Sequence, residues 1–371
     1  MADCLIIGGG IIGLSLAYEL SRRQMAVTLI EQGEWGGQAS SAAAGMLAPL
    51  KEFSQPGPLL DLGIASLAAY PEWVATLEQT TGGRVQLALD GLLTVALTEA
   101  EREALQAKYQ WQRAAGYDLS WLEGEQLREV EPFVSADALA AIYSPGEGHI
   151  NNQLLLQTLL AACLQQGVIL KQGVAVTGLI QPRRGQIAGV VTTEGEMLAD
   201  HTVIAAGAWS GLLVTQLGLS LPVRPVRGQV AAVSASGFPL KKVIFGANGY
   251  LAPKKDGRIV IGATEDEAGY RKEVTLEGLA KISNGVLAYV PQLRQAAFLQ
   301  AWAGLRPATA DGLPILGPLT GWEGISFATG HFRNGILLSP ITARLLADWL
   351  LTGQRAPLAP FSPDRFAAIR A

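Results

Sequence analysis

Little in this 371-residue chain can do chemistry unaided: it has two cysteines and three histidines, and charged residues make up only 16%. Cys4 stands in an apolar N-terminal run and Cys163 in an apolar helical stretch. Two distant cysteines make no disulfide framework, and both read as buried thiols of a reducing, cytoplasmic compartment. His149, His201 and His331 lie far apart, with no cysteine among them, so no metal site is expected. Formal net charge is −4 and there is no basic cluster, which argues against nucleic acid as a partner. No apolar run looks fit to span a bilayer. Residues 154–164 are too few, and residues 336–351 include Pro340, Arg344 and Asp348. Both read as packed helices, so no membrane partner is expected. A strand begins directly after Met1, so no signal peptide is expected either.

The 49% of hydrophobic residues and the length describe a globular chain with room for two domains. Its most informative stretch is the N-terminus. Cys4-Leu5-Ile6-Ile7 is long enough for one buried strand. Gly8-Gly9-Gly10-Ile11-Ile12-Gly13 follows and reads G-x-G-x-x-G. Leu16, Ala17 and Leu20 then recur at helical spacing, and a second apolar run ends on Glu31. Gly8 permits the tight turn, Gly10 lets a pyrophosphate approach the backbone, and Gly13 lets the helix pack on the strand. The helix N-terminus offers free N–H groups and the positive end of its dipole to the phosphates. Glu31 can accept hydrogen bonds from a ribose diol and would repel a 2′-phosphate, so NADP is disfavoured. Glycines alone are a weak signal; strand, glycines, helix, strand and acid in one unit are a strong one for a dinucleotide. NAD and FAD remain equally open on this unit alone. No second G-x-G-x-x-G occurs, as would be expected near mid-chain of an enzyme handling two dinucleotides.

Further along, residues 36–46 are dense in glycine, alanine and serine, which lets a backbone lie against a ligand. Residues 59–77 and 99–115 read as helices, 91–97 and 141–144 as strands, 146–151 as a turn and 152–166 as a long helix. Short β runs follow over 168–198. A buried strand at 202–204 then enters a turn at Gly207 and a helix. Residues 228–303 read as an antiparallel sheet with a helix at 274–290. The tail returns to α/β style, with a strand at 325–328, a loop Gly330-His331-Phe332-Arg333-Asn334-Gly335 and a helix at 336–351. The fold class is α/β, or α+β overall: a Rossmann-like domain (1–84, 145–218 and 306–371) interrupted by insertions (85–144 and 219–305) that form an antiparallel-sheet domain.

Several motifs together carry a resemblance. They are Gly8–Gly13, Ser41-Ala42-Ala43-Ala44-Gly45-Met46, Ala205-Gly207-Trp209-Ser210, Trp302-Ala303-Gly304-Leu305-Arg306-Pro307 with Asp311-Gly312, and the 330–335 loop. The chain resembles the D-amino-acid oxidase superfamily of flavoproteins, and within it the glycine oxidases associated with thiamin biosynthesis. The resemblance runs from Asp3 to about Trp349. It implies FAD, with the glycine unit (Gly8, Gly10, Gly13) under the adenine half. Ribose would lie at Glu31 and Gln32 and pyrophosphate over Ile11 and Ile12. Ala39, Ser40, Ala44, Gly45 and Met46 would line the ribityl chain and flavin. Val176 would offer its backbone to adenine, with Gly207 in the same set. His331, Phe332, Arg333, Asn334, Gly335, Ile336 and Leu337 would wrap the isoalloxazine, with a helix N-terminus aimed at its N1/C2=O edge.

The resemblance also assigns substrate residues. Arg306 matches a carboxylate clamp, a role suited to the planar fork of guanidinium. Tyr250 matches a hydroxyl on the same carboxylate, and Arg333 a second substrate contact. The implied reaction is oxidation of glycine, sarcosine and small D-amino acids. Hydride passes to flavin N5, the imine hydrolyses to a 2-oxo acid and ammonia or amine, and O2 yields H2O2. A homotetramer is implied as well. Two positions depart from the family pattern: Asn248 stands where some members have His, and Glu265 where some have Met. Monomeric sarcosine oxidases attach flavin through a cysteine near the position of Leu305, so FAD is expected to be non-covalent here. The competing readings are an amino-acid dehydrogenase or demethylating enzyme with another acceptor, and a dinucleotide-binding protein without turnover.

Overall fold

The computed structural model describes residues 2–366. Cys4, Leu5 and Ile6 are fully buried, and a strand apolar on both faces needs helices or further chain on each side. The strand Ala2–Ile7 accordingly lies centrally, paired in parallel with Val27–Glu31 and with Gly195–Ile204. Ile169–Gln172 extends the parallel part beyond Val27–Glu31, and Ile325–Thr329 extends it beyond Gly195–Ile204. Antiparallel strands complete the eight-stranded sheet: Val176–Ile180 and Gly189–Thr192 continue from the start of Gly195–Ile204, and Ile315–Pro318 pairs with Ile325–Thr329. Leu14, Leu16 and Leu20 of the helix Ile11–Arg22 pack in one core with Leu155 and Leu159 of Asn152–Gln165 and with Leu338 and Ile341 of Gly335–Thr352.

The helix Gly335–Thr352 contains Pro340, which cannot give the N–H that Ile336 O would accept. Tyr70 Oη, from the helix Pro58–Thr81, donates to that carbonyl instead, and Ser66 Oγ donates to Leu337 O at 2.6 Å. Residues 332–352 are long and apolar enough to cross a bilayer by composition, but most of that window is buried inside the fold. Core packing explains the hydrophobicity.

A second eight-stranded sheet runs Phe298–Thr309, Val223–Ser234, Arg258–Gly262, Gly249–Pro253, Val243–Gly246, Leu92–Ala96, Ala140–Ser144 and Ser120–Leu122. It differs from the expected antiparallel sheet at one joint: Val243–Gly246 pairs with Leu92–Ala96 in parallel. That pairing joins segments about 150 residues apart, so no local pattern could announce it. Phe298–Thr309 is also longer than expected and passes through residue 305, where the sequence places a domain boundary. Arg306 therefore lies within a strand and does not follow one. Residues 197–198 and 202–204 belong to one strand, Gly195–Ile204, which serves a hairpin at its start and the parallel sheet at its end. Gly148–Ile150, expected within a turn, is the middle strand of a small sheet between Met46–Leu47 and Leu87–Ala88. Three residues are too few to show a period.

Candidate active site

One cavity of about 760 Å³ runs between the two large sheets. Every residue singled out in the sequence for cofactor or substrate lines it, except Gly13. Gly13 acts from behind: a Cβ there would lie 1.9 Å from Gly8 O, so its missing side chain is what brings helix and turn together. Gly8 has φ +110°, and a Cβ on it would lie 2.5 Å from Ala205 O.

At the parallel-sheet end, Gly10 precedes the helix Ile11–Arg22 and has no side chain to cap it. Ser40 Oγ accepts from Ile11 N at 3.0 Å, which leaves a hydroxyl and the helix dipole at one point of the wall. Glu31 ends its strand and bends back, taking Gly9 N and Gly33 N, each at 2.8 Å. Those bonds fix the carboxylate in place and use one acceptor site on each oxygen, so further acceptor sites stay available. Small residues continue the wall: a Cβ on Gly304 would lie 2.6 Å from Ala42 Cβ, so the strand Phe298–Thr309 and the Ala39–Ala42 turn touch only because residue 304 is glycine. An elongated cavity with an anion-ready helix end, a ribose-ready acid and a closely packed small-residue wall fits an extended dinucleotide.

At the other end, Arg306, Tyr250, Arg333, Glu265, Lys51 and Glu52 share the lining. Arg306 is half-buried and donates from Nη1 to Thr264 O at 2.9 Å. That single anchor leaves most of its five donors for a ligand. Tyr250 stacks obliquely on its cross-strand neighbour Phe245, with ring centroids 5.3 Å apart. Burial pushes its hydroxyl up to about 12, although Arg306 acts the other way, so it is a donor at neutral pH. Arg333 is exposed and holds two carboxylates, Glu265 at 2.8 Å and Glu52 at 3.2 Å. Glu265 is thus exposed yet engaged at the cavity wall, and Asn248 is exposed and lines the same cavity. His331 is buried, with Nε2 3.1 Å from Thr342 Oγ1, and burial pushes its pKa down to about 3. It is neutral at physiological pH and structural in its contacts. Phe332 next to it adopts φ +48°, a strained value for a bulky residue that turns the 330–335 loop into the helix.

The sequence alone does not point to Lys51, Glu52 or Gly228. A Lys-Glu pair directly after the small-residue run and the apolar segment 46–50 was the one available signal for the first two. Gly228 enters only through its neighbour across the sheet. Neither cysteine lines the cavity; both are buried elsewhere. Among the described residues, no group of three or more His, Cys, Asp or Glu is placed to hold a metal ion.

The chain is similar to known proteins over nearly its whole length. The glycine oxidase of Geobacillus kaustophilus is 38% identical over 98% of this chain and 97% of its own. The crystal structure of that species' glycine oxidase superposes with a TM-score of 0.94 at 37% identity, covering 98% of this chain and 99% of the other. The bifunctional protein ThiO/ThiG of Synechocystis is 38% identical over 98% of this chain, which spans 54% of that longer protein. The model of the DAO family, described as FAD dependent oxidoreductase, matches residues 3–349. With a cavity that fits a dinucleotide and carries charged residues at one end, these matches show that the chain belongs to the DAO family of FAD dependent oxidoreductases and is an FAD-dependent amino-acid oxidase.

Proposed function

We propose that this enzyme oxidises glycine, sarcosine and small D-amino acids to the 2-oxo acid, ammonia or amine, and H2O2. The observation that carries the reading is Arg306, anchored at one nitrogen to Thr264 O and otherwise available to the cavity, with Tyr250 in the same lining. The guanidinium takes the substrate carboxylate through two parallel bonds, and the protonated Tyr250 hydroxyl adds a third. Holding the carboxylate at two residues orients the α-carbon, and orientation supplies the rate. FAD, held without a covalent bond, supplies the hydride acceptor. No side chain here has to act as a strong base, since the substrate reacts as its neutral amine. Arg333, from the loop closing the chamber, contacts the substrate once it exchanges a carboxylate partner. For the cofactor the reading assigns Glu31 and Gln32 to the ribose, Ile11 and Ile12 to the pyrophosphate, Val176 to the adenine and the 331–337 segment to the flavin; support for it is that all of them line the one cavity.

The discontinuous division into an FAD domain and a substrate domain, a homotetramer, a cytoplasmic location and a place in thiamin biosynthesis complete the reading. The tetramer and the pathway rest on the resemblance to glycine oxidases, the domain division on the alternation of α/β and β-rich stretches, and the location on two cysteines read as buried thiols. The test is a panel of glycine, sarcosine, N-ethylglycine, D-alanine and D-proline with purified protein, scored by peroxide formed per substrate consumed. Turnover of the first two with stoichiometric peroxide is expected. Substrate loss without peroxide points to a dehydrogenase, and a flavin that none of the five bleaches anaerobically removes the substrate assignment. Yellow colour left in an acid-precipitated pellet would overturn the non-covalent attachment.

A further inference from the structure

An amino acid has two poles, and the clamp of Arg306 and Tyr250 accounts for one. The nitrogen needs an acceptor, and the chamber has two carboxylates to offer. Glu265 is exposed and hydrogen-bonded to Arg333 at 2.8 Å. Glu52 is different. Its side chain is only 10% exposed, yet it lines the cavity. Oε1 takes Lys51 Nζ at 3.3 Å, while Oε2 lies 3.2 Å from Arg333 Nη2 without making a hydrogen bond. A carboxylate removed from water with an oxygen left over is costly, and folds keep such groups for a reason.

The chain also holds Glu52 in place from behind. It ends the short turn Pro49–Glu52. Glu147, itself fully buried, accepts from Leu50 N at 2.5 Å and from Lys51 N at 3.4 Å. Gln112 Nε2 donates to Leu50 O at 2.7 Å and Lys108 Nζ to Lys51 O at 2.6 Å. Three polar side chains from two other parts of the fold therefore fix a four-residue turn. Burial pushes the Glu52 carboxyl up, but Lys51 and Arg333 outweigh it and hold the group below its ordinary value. It is an anion across the working pH range, and its charge is felt at both Tyr250 and Arg306.

We infer that Glu52 is the specificity residue for the substrate nitrogen: Oε2, beside the Arg333 charge but without a hydrogen bond, accepts an N–H from a primary or secondary amine whose carboxylate Arg306 and Tyr250 hold. This rests on the clamp reading. The competing role is purely structural, with Glu52 serving only to anchor Arg333. The two differ in what a ligand without nitrogen should feel.

The experiment uses the holoenzyme, Glu52→Gln and Glu52→Asp. Acetate, which has the carboxylate alone, is titrated anaerobically against the flavin spectrum, and KM is measured for glycine and sarcosine. The Gln variant is expected to raise both KM values about tenfold or more, the size of one lost charged hydrogen bond, while acetate, relieved of a neighbouring anion, binds as tightly as to the parent or more tightly. The Asp variant, which keeps the charge, should recover part of the loss. Acetate weakening in parallel with the amines, or no change in either, overturns the assignment. A wild type that binds acetate with Arg306→Ala binding it equally well overturns the clamp, and Glu52's role with it. A further comparison needs no variant: N,N-dimethylglycine, whose neutral amine has no N–H, should show a KM about tenfold or more above that of sarcosine. Equal values overturn the proposal.

Discussion

Gly228 makes the space that the Arg306 guanidinium occupies: a Cβ at residue 228 would lie 2.3 Å from both Cζ and Nη2 of Arg306. Val226 is the residue paired directly with Arg306, and Gly228 stands diagonally across the strand pair, opposite Gly304. Diagonal neighbours share a face of the sheet, so a long side chain on one strand sweeps over the other. Gly228→Ala should push the guanidinium off its position while leaving the dinucleotide end untouched. The expected result is a KM for glycine raised about tenfold or more, the worth of one or two charged hydrogen bonds, with flavin content unchanged. Unchanged KM would show that Arg306 relaxes freely.

Arg306→Ala removes the fork itself. Loss of a bidentate charged pair is worth about 3 kcal/mol or more, so kcat/KM should fall by about two orders of magnitude. Arg306→Lys should fall between, since an ammonium cannot make two parallel bonds. Steady-state kinetics on sarcosine, with the visible flavin spectrum as the control for folding, decide this.

Gly13→Ala tests the other end. Its Cβ would meet Gly8 O at 1.9 Å, a backbone atom that cannot rotate away. The helix must lift off the strand, at a cost of about 3 kcal/mol or more for overpacking. The variant should be poorly soluble or melt well below the parent, and should purify with little flavin. A yellow, equally stable Gly13→Ala protein would refute the packing argument.

Acid should unfold this protein by charging its histidines. Burial pushes His149 to about 3, His201 to about 4 and His331 to about 3, from an ordinary value of 6.5. Depressed pKa values mean that the unfolded chain binds the protons first. Their contribution to stability is complete above pH 6.5 and is lost as pH falls toward 4 and then 3. Glu147, which burial raises to about 7, works in the opposite sense and contributes less as pH rises through that value. Thermal melts across acid and neutral pH should show Tm falling below 6.5, and His331→Gln, which keeps a partner for Thr342 but cannot charge, should fall less steeply.

Much of the site was legible in the sequence because its parts are local. Gly8 to Gly13 make a turn and a helix end from consecutive residues, so the spacing itself carries the geometry. The 330–335 loop and the small-residue run before Met46 are equally contiguous. Arg306 and Tyr250 were legible only through resemblance, since an isolated Arg or Tyr carries no pattern. Glu52, Lys51 and Gly228 stayed hidden because each acts through a partner far away in the chain. Glu147 reaches Leu50 across 97 positions, and Arg333 reaches Glu265 across 68.

The sequence by itself determined the dinucleotide unit, the alternation of α/β and β-rich stretches, and the helical character of 336–351, because backbone preference and hydrophobic period are written in neighbouring residues. Tertiary structure alone decided that Val243–Gly246 joins Leu92–Ala96 in parallel, that Gly148–Ile150 is a strand, and that Tyr70 replaces the hydrogen bond Pro340 cannot make. It alone decided, too, that a half-buried Glu52 lines the cavity of Arg306. Those outcomes depend on burial, which removes water as a partner for every polar group and forces each to find another wherever the folded chain brings one near.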